Sequence, residues 1–137
     1  MRIRIAWDWG EVFARLDDTP GARAMLAALP IRATASTRGA EVYLSAPLRL
    51  RPDGPARQAV EAGSVCYWPE GASIALPFGP APDARRRAPG HVLGRLEDDP
   101  QLLGRIRTGH LLTVSRAEEQ AGAPSSPARR RPFSDNR

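Results

Sequence analysis

The stretch MRIRIAWDWGEVFARLDDTPGARAMLAALP (residues 1–30) changes its apolar period once, and that change decides the fold. In residues 2–7 the charged Arg2 and Arg4 alternate with Ile3 and Ile5, the period of two expected of a strand with one buried face. Asp8-Trp9-Gly10 reads as a turn, after which Val12, Ala14 and Leu16 resume the alternation, so the chain opens with a β-hairpin. The period then lengthens. Thr19 can cap a helix through its hydroxyl, and Pro20 suits the first helical position, where no amide donor is needed. Ala22, Met25, Leu26 and Leu29 recur at helical spacing, and Pro30 ends the helix.

After Pro30 the period returns to two at once. Residues 31–35 predict a strand, Ser36–Ala40 a loop through Arg38-Gly39, and Glu41–Ala46 another strand. In that strand Val42, Leu44 and Ala46 share one face and Glu41, Tyr43 and Ser45 the other, with Leu48 and Leu50 as a possible extension. Pro52-Asp53-Gly54-Pro55 predicts a turn. Val65–Trp68 and Ser73–Phe78 read as two short strands around the turn Pro69-Glu70-Gly71. A loop from Gly79 carries Arg85, Arg86 and Arg87 and leads to a strand over His91–Leu96. Asp98-Asp99-Pro100 repeats the helix-start pattern, with Leu102, Leu103 and Ile106 as the apolar face and Gly109 as the stop. His110–Val114 completes the series as a last strand.

Evenly spaced short strands with two short helices predict a mainly β chain, folded as a small closed eight-stranded barrel. Residues 1–115 form one barrel domain on this reading. Residues 116–137, rich in Ala, Pro, Ser and Arg, are expected to be a disordered tail. At 137 residues the chain suits a single core. No apolar run approaches the roughly 18 residues of a membrane span. Charges inside its first apolar stretch argue against a signal peptide, so a cytoplasmic protein without membrane attachment is expected.

The inventory removes most familiar chemistry. All 20 basic residues are arginine, which excludes a phosphate-loop lysine, a Schiff-base lysine and a Ser–Lys dyad. Cys66 stands alone, so neither an internal disulfide nor a cysteine-based zinc site is expected. His91 and His110 lie outside any HExxH pattern, and no metal or cofactor is expected. Neither GxSxG nor GxGxxG occurs. Asp17, Asp18, Asp98 and Asp99 are explained as charges at helix starts. Glu41 and Glu70 have no paired acid or base, and no catalytic residue is assigned. The net charge of +5 sits mainly in the loop around Arg85–Arg87 and in the tail, where Arg129–Arg131 form a second triplet. No aromatic–basic interleaving or recognition helix accompanies them, and specific nucleic-acid binding is not expected.

The segments DDTPGARAMLAALP (17–30), GAEVYLSAP (39–47), GSVCYWPEGASIALPFGPAP (63–82) and HVLGRL (91–96) resemble the small prokaryotic cyclophilin-like domain, in that family's order. The resemblance spans about residues 1–114 and implies an eight-stranded barrel whose ends are closed by the two short helices. It brings no settled activity, because these small relatives are atypical members of their fold. The Phe-x-x-x-Gly-Gly-Asp-Phe type of segment found in larger, proline-isomerising cyclophilins is absent here. The family pattern also leads one to expect Trp, Asp, Asp and Asn where this chain has Arg38, Ala40, Ser64 and His91.

Function is therefore read from the residues available to a cleft. Tyr43, Tyr67, Trp68 and Phe78 offer aromatic walls, with Arg38 and Glu41 at the rim. The expected role is binding of a small molecule or a short peptide, a proline-containing peptide being one candidate. A peptidyl-prolyl isomerase is the alternative: Arg38 would then donate to the imide nitrogen as amide resonance is lost, lowering a barrier of about 18–20 kcal/mol. A third reading is non-enzymatic partner binding, which an exposed Trp7–Trp9 pair at the first turn would favour.

Overall fold

A computed structural model describes residues 1–46, 48–50, 61–69, 71–79 and 90–119. Its elements follow in order as β1 (Arg2–Trp7), β2 (Gly10–Leu16), α1 (Pro20–Ala28), β3 (Ile31–Arg38), β4 (Glu41–Ser45), β5 (Ser64–Trp68), β6 (Ser73–Pro77), β7 (His91–Leu96), a 3₁₀ helix (Pro100–Arg105) and β8 (Leu111–Ala117). The eight strands close a barrel in the spatial order β1-β2-β7-β5-β6-β4-β3-β8, and every neighbouring pair is antiparallel. Closure satisfies the backbone donors and acceptors that an open sheet would leave at its edges.

The period-two residues fill the interior. Ile3, Ile5 and Trp7 of β1 meet Val12, Ala14 and Leu16 of β2, and all are buried in one core. Val42, Leu44, Val65, Tyr67, Ile74, Leu76, Leu93, Leu112 and Val114 extend it around the barrel. Both helices complete that core, α1 with Ala22 and Met25 and the 3₁₀ helix with Leu103. Thr19 caps α1 as expected: its Oγ1 accepts from the Ala22 amide at 3.2 Å, with Pro20 in the first turn. Thr19→Ala should lower stability by about 1 kcal/mol, read as the midpoint of a urea melt, because that amide loses its acceptor. A midpoint equal to wild type would mean that water serves the amide equally well.

Several boundaries differ from the sequence reading, each for a physical reason. Ser36–Arg38 is strand rather than loop. β3 pairs with β8 through Ile31–Thr34 and then with β4 through Ala35–Arg38, so its backbone bonds change partner midway. The hairpin turn is only Gly39-Ala40, with Gly39 at φ 56°, a conformation that glycine adopts at no steric cost. Leu48 is buried without extending β4, which stops at Ser45. The second helix is 3₁₀ and ends with the Ile106 amide donating to Leu103 O at 3.1 Å. Gly109, at φ 96°, shapes the following turn instead of stopping the helix. β8 runs on to Ala117, paired with Arg2 of β1, and just beyond it Glu119 forms an ion pair with Arg15. The hydrogen bond from Arg15 is the main reason the Glu119 carboxyl lies below the usual carboxylate range.

Trp7 and Trp9 do not form an exposed pair. Trp7 points into the core, and only Trp9, 74% exposed, stands out, tilted against the His110 ring at 5.2 Å. The predicted turn at 52–55, the arginine triplets at 85–87 and 129–131, Glu70 and the tail from residue 120 lie outside the described residues. Among the described residues, no helix is long and apolar enough to cross a membrane.

Candidate functional site

A groove of about 680 Å³ opens where β3 leaves β8 and turns to β4. Its floor is β3, from Ala33 to Arg38. The turn Thr108-Gly109 forms one wall, held to β3 by short bonds. The Thr37 amide donates to Thr108 Oγ1 at 3.0 Å, the two threonine hydroxyls meet at 2.9 Å, and the Gly109 amide donates to Ala35 O at 2.9 Å. Tyr43, Ser45, Ser73 and Trp68 form the opposite wall. Strand register explains their meeting: Ser36 lies opposite Tyr43, Ser45 opposite Ser73, and Ser73 opposite Trp68, so residues from β3, β4, β6 and β5 share the outward face.

Two aromatics meet on that wall. The Tyr43 and Trp68 rings are tilted by 55° with centroids 5.9 Å apart, within the range of a favourable edge-to-face contact. Gly71 makes room for the indole. A Cβ built there would lie 2.6 Å from Trp68 Cε3 and Cζ3, so only glycine lets the turn after β5 pass this close to the ring. Trp68 Nε1 is buried and has no hydrogen-bond partner among the described residues. Tyr43 donates its hydroxyl to Glu41 Oε1 at 2.7 Å, and the Glu41 side chain is itself buried.

Of the six residues expected at a cleft, Arg38, Tyr43 and Trp68 line this groove. Glu41 stands behind Tyr43 as its hydrogen-bond acceptor. Tyr67 lies elsewhere. Adjacent strand residues face opposite ways, so with Trp68 outward Tyr67 enters the barrel core, where its hydroxyl donates to Leu48 O at 2.8 Å. Phe78 also lies apart from the groove. Its ring packs on the core near Gly104, and its carbonyl accepts from Gln101 Nε2 at 2.8 Å. The small hydroxyl residues Thr34, Ser36, Thr37, Ser45, Ser73 and Thr108 also line the groove, outside the six expected residues. The alternation of Ile31, Ala33 and Ala35 with Arg32, Thr34 and Ser36 was the available signal, since carrying it two residues further puts Ser36 and Arg38 on one strand face.

The arrangement can hold a ring against Tyr43 and Trp68, accept or donate hydrogen bonds through hydroxyls, and offer one cation. Among the described residues, no cluster of three or more His, Cys, Asp or Glu side chains could hold a metal ion.

Comparison with known proteins bears on the scaffold. The sequence model of the cyclophilin-like family matches residues 1–115. No curated protein matches the chain. Among solved structures, the chain is similar to the hypothetical protein AF2241 from Archaeoglobus fulgidus, a solution structure. The two are 29% identical with a TM-score of 0.69, over 85% of this chain and 95% of that one. It is similar in fold to McbB, solved in complex with tryptophan. There the identity is 13% and the TM-score 0.65, over 91% of this chain and 48% of that one.

Proposed function

The chain belongs to the cyclophilin-like family, and from that premise we propose that it is a binding module which takes a small molecule or a short peptide in the groove between β3 and the Tyr43–Trp68 wall. The observation that carries this reading is the convergence of Arg38, Tyr43 and Trp68, from three different strands, on one groove of about 680 Å³. That volume lies in the range of small-ligand sites, roughly 300–1,000 Å³. Its mixture of two aromatic rings with a few polar groups is what such sites use to combine affinity with orientation. The unpaired indole N–H of Trp68 adds a donor that a ligand carbonyl would satisfy after a small turn of the ring.

A second reading concerns catalysis. Arg38 lines the same groove as the two rings, which is the pairing a proline isomerase needs: an apolar seat for the pyrrolidine and a guanidinium donor for the imide nitrogen. Arg38 is exposed, however, and a solvated donor stabilises a developing lone pair less than a buried one. Binding is therefore the function the geometry favours.

One sample tests both. The ¹⁵N-labelled protein is titrated with acetyl-Ala-Ala-Pro-Phe-amide while the three indole N–H resonances are followed, Trp68 being assigned by its loss in Trp68→Phe. Binding in the groove should move the Trp68 signal and leave that of Trp7, on the barrel interior, in place. A Trp68 signal unmoved by the peptide and by 3-phenylpropionate at millimolar concentration would remove the groove as a binding site. Exchange spectroscopy on the same mixture reads cis–trans interconversion. Acceleration that disappears in Arg38→Ala would promote the isomerase reading, and its absence would leave binding alone.

A further inference from the structure

Among its described lining residues the groove carries one charge. It belongs to Arg38, which makes no hydrogen bond or ion pair from its side chain among the described residues. This is unusual given its position. Arg38 and Glu41 face each other directly across the β3–β4 hairpin, the register at which opposite charges ordinarily pair. The carboxylate is instead turned along its own strand to the Tyr43 hydroxyl, two residues on, and is buried there. Arg2, Arg4, Arg23 and Arg95 pair with the carboxylates of Glu97, Glu11, Asp18 and Glu61, whereas Arg32, Arg105 and Arg116, like Arg38, make no side-chain ion pair among the described residues. What sets Arg38 apart is its place on the groove, across from a buried carboxylate. The hairpin thus separates a cation from its natural counter-ion and leaves the cation over a groove.

From this we infer that the groove selects ligands bearing a carboxylate, with Arg38 as the specificity-determining residue and the Tyr43–Trp68 wall as the seat for an adjoining ring; the inference rests on the binding role proposed above. Guanidinium presents two parallel N–H donors that match a carboxylate, and such charge-assisted bonds are stronger than neutral ones. The hydroxyl of Ser36, on the same strand face as Arg38, adds a neutral donor beside the anion. A neutral amide of the same shape would keep the ring contact and lose the ionic one.

Two matched pairs of probes test it, since a carboxylate can come from a free small acid or from a peptide C-terminus. The first pair is 3-phenylpropionate and 3-phenylpropionamide; the second is acetyl-Ala-Phe and its C-terminal amide. Affinity is read from the Trp68 indole resonance. The acid should bind about five- to tenfold more tightly than its amide, as expected of a charge-assisted contact that stays partly solvated. That preference should shrink as salt is raised. Arg38→Gln should bring the ratio to about one. Arg32→Gln, which removes an equal charge from an exposed position on β3 outside the groove lining, should leave the ratio intact. Equal binding of acid and amide to the wild-type protein would overturn the inference while the binding role survives. A Trp68 resonance that responds to no probe would end both. Whichever pair shows the larger preference identifies the source of the carboxylate.

Discussion

Gly94→Ala should destabilise the barrel by about 3 kcal/mol or more, the upper range for forcing atoms into a filled site. An added Cβ would lie 2.2 Å from Arg15 O and 2.8 Å from Leu16 Cα, and both of these are backbone atoms that no rotamer change can move. Relief requires separating β2 from β7, and that seam is short: only Ala14, Arg15 and Leu16 pair with Leu96, Arg95 and Gly94. On its other side Gly94 pairs with Val65 of β5, next to the irregularity where Cys66 meets Val92 and Leu93 becomes the extra residue of β7. The strand is therefore already bent at this point and held on both edges. Opening the seam would turn a closed barrel into a sheet with two free edges, which couples local overlap to global unfolding and to association. Thermal denaturation followed by circular dichroism should show a midpoint lower by about 10 °C or more for a domain of this size. Gly104→Ala is the control, because a Cβ there meets the Phe78 ring at 3.4 Å, an ordinary contact. If Gly94→Ala melts with the wild type, β2 and β7 do not pack as described.

Much of the scaffold was legible because its rules are local. Alternation of Arg2, Ile3, Arg4 and Ile5, and its resumption at Val12, Ala14 and Leu16, fixes an inward face regardless of what the strand pairs with. Thr19 and Pro20 announce a helix start through their own donors and acceptors. The groove is a different kind of object. Ser36, Tyr43, Ser73 and Trp68 share a face only through the registers of β3 with β4, β4 with β6 and β6 with β5. Those registers are set by turns and by total packing, neither of which leaves a periodic mark. Residue type alone groups Tyr67 with Trp68 as one aromatic cleft, whereas strand alternation separates them, sending Tyr67 into the core and Trp68 to the groove. The polar Thr37 hid the end of β3 because a strand that faces solvent on one side and a groove wall on the other has no apolar residue there to continue the pattern.

The same separation between scaffold and site yields the second large effect. Gly71→Ala should weaken ligand binding by about tenfold or more while stability changes by no more than about 1 kcal/mol. The overlap at this position is severe, 2.6 Å to two ring carbons, but it falls on a side chain rather than on backbone. Gly71 does not occupy the left-handed region, so an alanine backbone is tolerated there. The strain is therefore discharged by moving the Trp68 ring. Trp68 belongs to the groove wall and not to the barrel core, so its displacement leaves the packing of Val65, Tyr67, Ile74 and Leu76 untouched. What it removes is the tilted contact with Tyr43 and the shaped seat between the two rings. Near-ultraviolet circular dichroism should register the altered ring environment, urea melts should stay close to wild type, and the dissociation constant for 3-phenylpropionate should rise. Trp68→Phe provides the comparison: it keeps an aromatic face without the indole N–H, so binding retained there but lost in Gly71→Ala would assign the affinity to ring position rather than to the buried donor. Binding that survives in Gly71→Ala, with the ring demonstrably displaced, would mean that ligand rests on the hydroxyl-lined floor of β3 and that the aromatic wall is only its boundary.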